Sequence, residues 1–168
     1  MIVELLPGKL WIGSEPRSAR MLTQLRDLRI TAVLCLIRQS RSPALVWLTD
    51  YAQIPLTDGK QVDQHAVWRA VMQVRLWLSE GMRVYAHCRA GRNRSALVGA
   101  VILATQLRLT GEVAIARVRA LRPRALANPA GEAFLRALPP PITYHDLRQR
   151  ELAVELNLMH RRGLGGGA

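Results

Sequence analysis

Apolar positions along this chain fall into blocks whose spacing switches between strand-like and helix-like. Lys9-Leu10-Trp11-Ile12-Gly13 reads as a short strand ending in a turn. Ser18 to Leu28 has helical spacing, with Met21, Leu25 and Leu28 on one face. Ile30 to Ile37 is a nearly continuous apolar, β-branched run, hence a buried strand, and Arg38 to Pro43 is a polar loop. Trp47 to Leu56 holds another strand with Tyr51-Ala52-Gln53-Ile54 as its body, and turn residues mark Pro55 to Lys60 as a loop. Asp63 to Ser79 is an amphipathic helix with Val67, Val71, Val74 and Leu78 on one face, ended by Gly81. Val84-Tyr85-Ala86 is a short buried strand, and the apolar stretch Ala96 to Leu107 is a buried helix. Thr110 caps a further helix carrying Val113, Ile115 and Val118. Asn128-Pro129 is an N-cap and first-turn pair for a short helix to Leu138. Pro139-Pro140-Pro141 is a hard break, after which Thr143 caps a last helix with Asp146 as a capping-box variant. The glycine-rich end, Gly163 to Ala168, is predicted to be disordered.

Strands alternating with helices predict an α/β domain with a largely parallel sheet covered on both faces. A chain of 168 residues suits one such domain. No window approaches 18 uninterrupted apolar residues, and the first residues lack the basic and apolar regions of a signal peptide, so a cytoplasmic location is expected. Cys35 and Cys88 are the only cysteines, which fits a reducing compartment and argues against a disulfide scaffold. The net charge of +12 attracts anionic partners, from phosphoproteins to inositol lipids, anionic membrane surfaces and nucleic acid. Lysine occurs only at Lys9 and Lys60, however, and an arginine skew of this kind also arises from base composition. The charge permits a polyanionic partner without identifying one.

The densest chemical signal lies between the short strand Val84-Tyr85-Ala86 and the long buried helix. His87-Cys88-Arg89-Ala90-Gly91-Arg92-Asn93-Arg94-Ser95 places a cysteine at a strand end, then a tight loop, then a helix N-terminus. Backbone N–H groups in such a loop converge on one point and cradle an anion. Gly91 suits an unusual backbone angle or a close approach to the ligand. Arg94 supplies a planar fork for two phosphate oxygens. The same field favours the thiolate of Cys88, and a thiolate aimed at a bound phosphate is a phosphoryl-transfer nucleophile.

The pattern His-Cys-x-x-Gly-x-x-Arg-Ser resembles the signature loop of cysteine-dependent protein tyrosine phosphatases, specifically the dual-specificity branch. The likeness spans Leu6 to Leu138. It implies a three-layer α/β fold with a central, mostly parallel sheet of four or five strands flanked by helices. It divides the chain into a catalytic domain over 1–138, a C-terminal helical extension over 139–162 and a tail over 163–168. It also implies phosphomonoester hydrolysis through a phosphocysteine on Cys88, without a cofactor. Arg94 would hold the equatorial oxygens, and Ser95 would help the thiolate leave. His87 would support loop and thiolate by hydrogen bonds. Arg89, Ala90, Gly91, Arg92 and Asn93 would line the substrate. No cluster of His, Cys or carboxylates stands at metal-ligand spacing, so no metal is expected.

A leaving alkoxide or phenolate needs a proton, and a carboxylic acid on a nearby loop is the usual donor. Asp58, in Ile54-Pro55-Leu56-Thr57-Asp58-Gly59, resembles the general acid of this branch; Asp63 and Asp50 are rivals. Arg89 and Arg92 resemble the basic slots of inositol-lipid phosphatases and of the phosphatidylglycerophosphate phosphatase. Gly-x-Asn-Arg is similar to the loop of RNA 5′-triphosphatases, but Ala90 and Ser95 depart from that pattern. Expected substrates are therefore phosphorylated proteins first, then phosphoinositide or phospholipid headgroups, with RNA ends last. A phosphate-binding pseudophosphatase would have lost Cys88, Arg94 or the acid, and all three are present. Cys35 is expected as an inert core residue, or alternatively as the partner of a protective disulfide with Cys88. Leu147, Leu152, Leu156 and Met159 with Arg148, Arg150, Arg161 and Arg162 predict an amphipathic last helix that packs on the core, dimerises or lies on an anionic membrane.

Overall fold

In the computed structural model the described residues are 1–40, 48–138, 145 and 149. The sheet contains β1 (Ile2–Leu6), β2 (Leu10–Ser14), β3 (Ala32–Cys35), β4 (Asp50–Gln53) and β5 (Val84–Cys88), in the spatial order β1-β2-β5-β3-β4. β1 runs antiparallel to β2, and the other neighbours are parallel. The mostly parallel α/β architecture expected from the sequence is thus the one found. The α-helices are α1 (Ala19–Asp27), α2 (Gln64–Ser79), α3 (Arg94–Leu107), α4 (Gly111–Leu121) and α5 (Pro129–Arg136).

Strand side chains alternate between sheet faces, and the core divides accordingly. Leu10, Ile12, Leu34, Val84, Ala86 and Cys88 face the cluster built with α2, α3, α4 and α5. Trp11, Val33 and Tyr85 face the other way and meet Leu25 of α1 and Ile30. Three layers follow: one helix, the sheet, and four helices. β5 lies at the centre with all five residues buried, which explains why its run reads as continuous apolar sequence rather than alternating.

Local chemistry accounts for the element ends. Ser18, Asp63, Thr110 and Asn128 each accept a backbone N–H of the helix they open, from Met21, Ala66, Val113 and Ala130 respectively. The buried face of α2 is wider than its valine spacing indicates, because Trp68 and Trp77 are also fully enclosed while Leu78 is half-buried. The Trp77 indole N–H donates to Asp50 at 2.7 Å, pinning α2 to β4. α3 begins two residues earlier than its apolar run, so Arg94 and Ser95 sit in its first turn. The β3 ladder is shorter than the run from Ile30 to Ile37. Ile30 N–H is already bonded to Leu25 O in the preceding turn, and Leu36 N–H to His87 O beyond the paired stretch.

β1 is absent from the sequence expectations. Ile2 and Val3 are half-buried and Glu4 is exposed, so the strand shows no clean alternation. Its hairpin is closed by Pro7-Gly8, where Gly8 N–H donates to Glu4 Oε1 at 2.7 Å. Arg41 to Pro43 of the expected polar loop, Trp47 at the start of the next expected strand segment, and the C-terminal helix and tail lie outside the described residues, save for the exposed His145 and Gln149. Among the described residues no helix is long and apolar enough to cross a membrane.

Candidate active site

The parallel strands all end on one side of the sheet, where ligands bind in open α/β folds. Register sets the floor of the site there: Ser14 pairs with Cys88, and both Gly13 and Cys35 pair with His87. The loop from Arg89 to Asn93 then folds onto the end of β2. Gly91 has φ of +67°, and a Cβ there would lie 2.3 Å from Gly13 C and 2.5 Å from Ser14 N. The unusual backbone angle expected for Gly91 is thus present, and the close approach that excludes a side chain is to the backbone of β2.

Contacts from outside turn the loop carbonyls away from its centre. Glu15 N–H donates to Arg89 O at 3.3 Å, the Arg122 guanidinium to Ala90 O at 2.8 Å, and Leu126 N–H to Arg92 O at 2.8 Å. With carbonyls held outward, loop N–H groups are left for an anion.

Cys88 is 2% exposed. Burial, the largest single influence, pushes its thiol pKa up. The Ser95 N–H and hydroxyl, the Arg94 charge and the Gly91 N–H together outweigh it, and the net result is a lowered pKa. Ser95 Oγ lies 3.6 Å from Cys88 Sγ and donates to Gly13 O at 3.4 Å.

Asp58 is the carboxylate brought to this thiol's arginine. Its Oδ2 is 4.0 Å from Arg94 Nε, and Arg94 Nη1 donates to Leu56 O at 3.5 Å in the same loop. Two asparagines hold the carboxylate: Asn93 Nδ2 donates at 3.1 and 3.2 Å, and Asn128 Nδ2 at 2.8 Å. Each asparagine also uses its oxygen, Asn93 accepting from Ala127 N–H and Asn128 from Ala130 N–H. The rivals have other work, since Asp63 caps α2 and Asp50 accepts from Trp77.

His87 lies at the end of β5, directly before Cys88. It is fully buried and stacked on Tyr85 with ring centroids 5.9 Å apart. Packing on Tyr85 holds the ring at the strand end, beside the Cys88 backbone. Burial pushes its pKa down to about 4, against weaker upward pulls from the Glu15 charge and a hydrogen bond with the Cys88 backbone. An unfolded imidazole protonates near pH 6.5. Between those values the unfolded chain binds the extra proton, so stability should fall as pH drops from about 6.5 to about 4 and then level off. Thermal unfolding across this range should show a loss on the order of 3 kcal/mol, flattened in His87→Gln.

Arg89, Ala90 and Arg92 are exposed around the loop, and Asn93 is half-buried with its amide spent on Asp58 and Ala127. Both cysteines are free, and Cys35 Sγ donates to Ile37 O at 3.5 Å within the core. Among the described residues no group of three or more His, Cys, Asp and Glu is arranged to hold a metal ion. Sequence reading missed two contributors. Asn128 was visible only as a helix cap, and Arg122 carried no signal among so many arginines.

Several solved structures share this architecture. DUSP15 is 24% identical, covering 80% of this chain and 85% of its own, with a TM-score of 0.71. The human tyrosine phosphatase-like serine/threonine/tyrosine-interacting protein is 22% identical over 92% of this chain and 97% of its own, with a TM-score of 0.68. PTPMT1 is 17% identical over 94% and 99%, with a TM-score of 0.71. At such identities the likeness is one of fold. No match was found among curated protein sequences. The profile of the dual specificity phosphatase catalytic domain, by contrast, matches residues 10–138, a stretch running from β2 through the cysteine loop to the end of α5. With that match over most of its length, the chain belongs to the dual-specificity phosphatase family.

Proposed function

We propose that this phosphatase works through a phosphocysteine on Cys88, with Asp58 as its general acid and base. The convergence of Cys88, Ser95, Arg94 and Asp58 on one side of the sheet supports this reading. The Cys88 thiolate attacks phosphorus. As the P–S bond forms, the bond to the ester oxygen breaks, and protonated Asp58 gives its proton to the departing oxygen. Arg94 and the loop N–H groups carry the charge on the equatorial oxygens. Water then attacks phosphorus, Asp58 takes its proton, and the P–S bond breaks. The Ser95 hydroxyl stabilises the thiolate that leaves. The result is one alcohol or phenol and one phosphate, with the cysteine restored.

The substrate class best supported is phosphotyrosine together with phosphoserine or phosphothreonine on proteins. Lipid or inositol headgroups with further anionic charge form the second reading, favoured by Arg89 and Arg92, whose exposed side chains flank the loop. Turnover of phosphotyrosine and phosphothreonine peptides against inositol phosphates and phosphatidylglycerophosphate tests the choice. Activity confined to the headgroups would discard the protein reading.

The role of Asp58 has its own signature. Asp58→Asn should slow hydrolysis of phosphoserine and phosphothreonine esters by roughly 10²–10⁴, because an alkoxide leaves poorly without a proton. Activated aryl phosphates should be slowed far less. The same selective loss in Asp63→Asn, with Asp58→Asn unaffected, would reassign the acid.

A further inference from the structure

The side chain of Arg122 poses a question that the reaction does not answer. It stands at the C-terminal cap of α4, and the residue is only 9% exposed. Its Nη2 donates to Ala90 O at 2.8 Å, whereas its buried Nε and Nη1 have no hydrogen-bond partner among the described residues. No carboxylate there pairs with it. A buried guanidinium so poorly partnered is expensive, and its single strong contact is a carbonyl of the phosphate-binding loop.

That contact has a geometric consequence. The peptide between Ala90 and Gly91 is planar, so its C=O and N–H point in opposite directions. A guanidinium that holds the Ala90 oxygen on the outside aims the Gly91 N–H inward. The Gly91 N–H is one of the donors that favour the Cys88 thiolate. Gly91 is also where the peptide is easiest to turn, because it lacks a Cβ and sits at φ of +67°. A flipped peptide would put a carbonyl oxygen into the cradle, facing phosphate with the wrong sign.

We infer that Arg122 is a positioning residue that locks the Ala90–Gly91 peptide, so that the Gly91 N–H faces the thiolate and the bound phosphate. The inference rests on the reading of this loop as the phosphate site, and it deepens that reading. Glu15 N–H does the same for Arg89 O by a main-chain contact that no side-chain change removes. Arg122 is the side chain through which the lock can be tested.

The measurement is the thiol itself, so the outcome does not depend on turnover. The charged and titratable groups around it are Arg94 in the first turn of α3, Asp58 from the acid loop, Tyr85 and His87 on β5, Glu15 after β2, and Arg122 on the Ala90 carbonyl. In the full chain carrying Cys35→Ala, the pH dependence of iodoacetamide alkylation reports the Cys88 pKa. Competition by inorganic phosphate reports the cradle. Arg122→Met should raise the thiol pKa by about one unit and weaken phosphate about tenfold, with thermal unfolding still cooperative. Arg122→Lys keeps charge and length but loses the fork, and should fall between wild type and Arg122→Met. Should Arg122→Met not fold, Arg122→Lys carries the test alone. A wild-type thiol pKa and phosphate affinity in whichever variants fold would overturn the inference and leave Arg122 a packing residue. Phosphate that fails to protect the wild-type thiol would instead sink the reading of the loop.

Discussion

Cys88→Ser should abolish turnover, by roughly 10⁵-fold or more, while inorganic phosphate binds as well as before or better. The loss follows from chemistry at one atom. The thiol is held in a field that favours its anion, whereas a serine hydroxyl at the same place stays protonated and attacks poorly. Retention of binding follows from who makes the cradle. The loop N–H groups and Arg94 remain, with carbonyls still turned outward by Glu15, Arg122 and Leu126. Removing the thiolate also removes a negative charge from beneath the phosphate, which is why affinity should not fall. Calorimetry with phosphate and a turnover assay on an aryl phosphate check the two halves separately. Substantial residual turnover would mean that Cys88 is not the nucleophile.

Arg94→Lys should lower kcat by roughly 10³–10⁵, the scale on which a transition-state arginine acts in phosphoryl transfer. A lysine retains the charge, so the loss isolates geometry: one ammonium cannot bridge two equatorial oxygens as a planar fork does. A second route adds to the loss. Arg94 Nη1 bonds Leu56 O and its Nε faces Asp58, so the arginine also joins the acid loop to the cysteine loop. The substitution should therefore hurt alkyl phosphates more than activated aryl phosphates. A drop confined to KM, with kcat intact, would show that Arg94 only binds the ground state.

How much of this was legible depends on the range over which each residue acts. The cysteine loop is contiguous, and its demands on Gly91, Arg94 and Ser95 are met within a few positions, so sequence alone reached them. The loop place of Asp58 after a strand was readable, as was the helix-start place of Asp63, whereas the nearness of Asp58 to Arg94 comes from the fold. The α/β order emerged because strands and helices of this chain differ in apolar period. β1 did not emerge, since a half-buried edge strand beside a hairpin carries no strong alternation. Asn128 and Arg122 show a different limit. Their local roles, a helix cap and a helix end, are complete without the long-range contacts to Asp58 and Ala90 that the fold adds. His87 stands two positions after Tyr85 on β5, so strand alternation puts both rings on one sheet face, but that they stack appears only in the fold.

In the proposed mechanism the loop binds phosphate with its main chain, while the side chains of Arg89, Ala90 and Arg92 are exposed. This is a division of labour with an evolutionary consequence. On that mechanism, mutation at those three positions leaves the N–H cradle, Cys88 and Asp58 in place, so substrate preference can drift without passing through an inactive intermediate. Positions that shape the loop have no such latitude: at Gly91 any side chain meets the backbone of β2. A lineage built on this scaffold can therefore diversify its targets quickly while its chemistry stays constant.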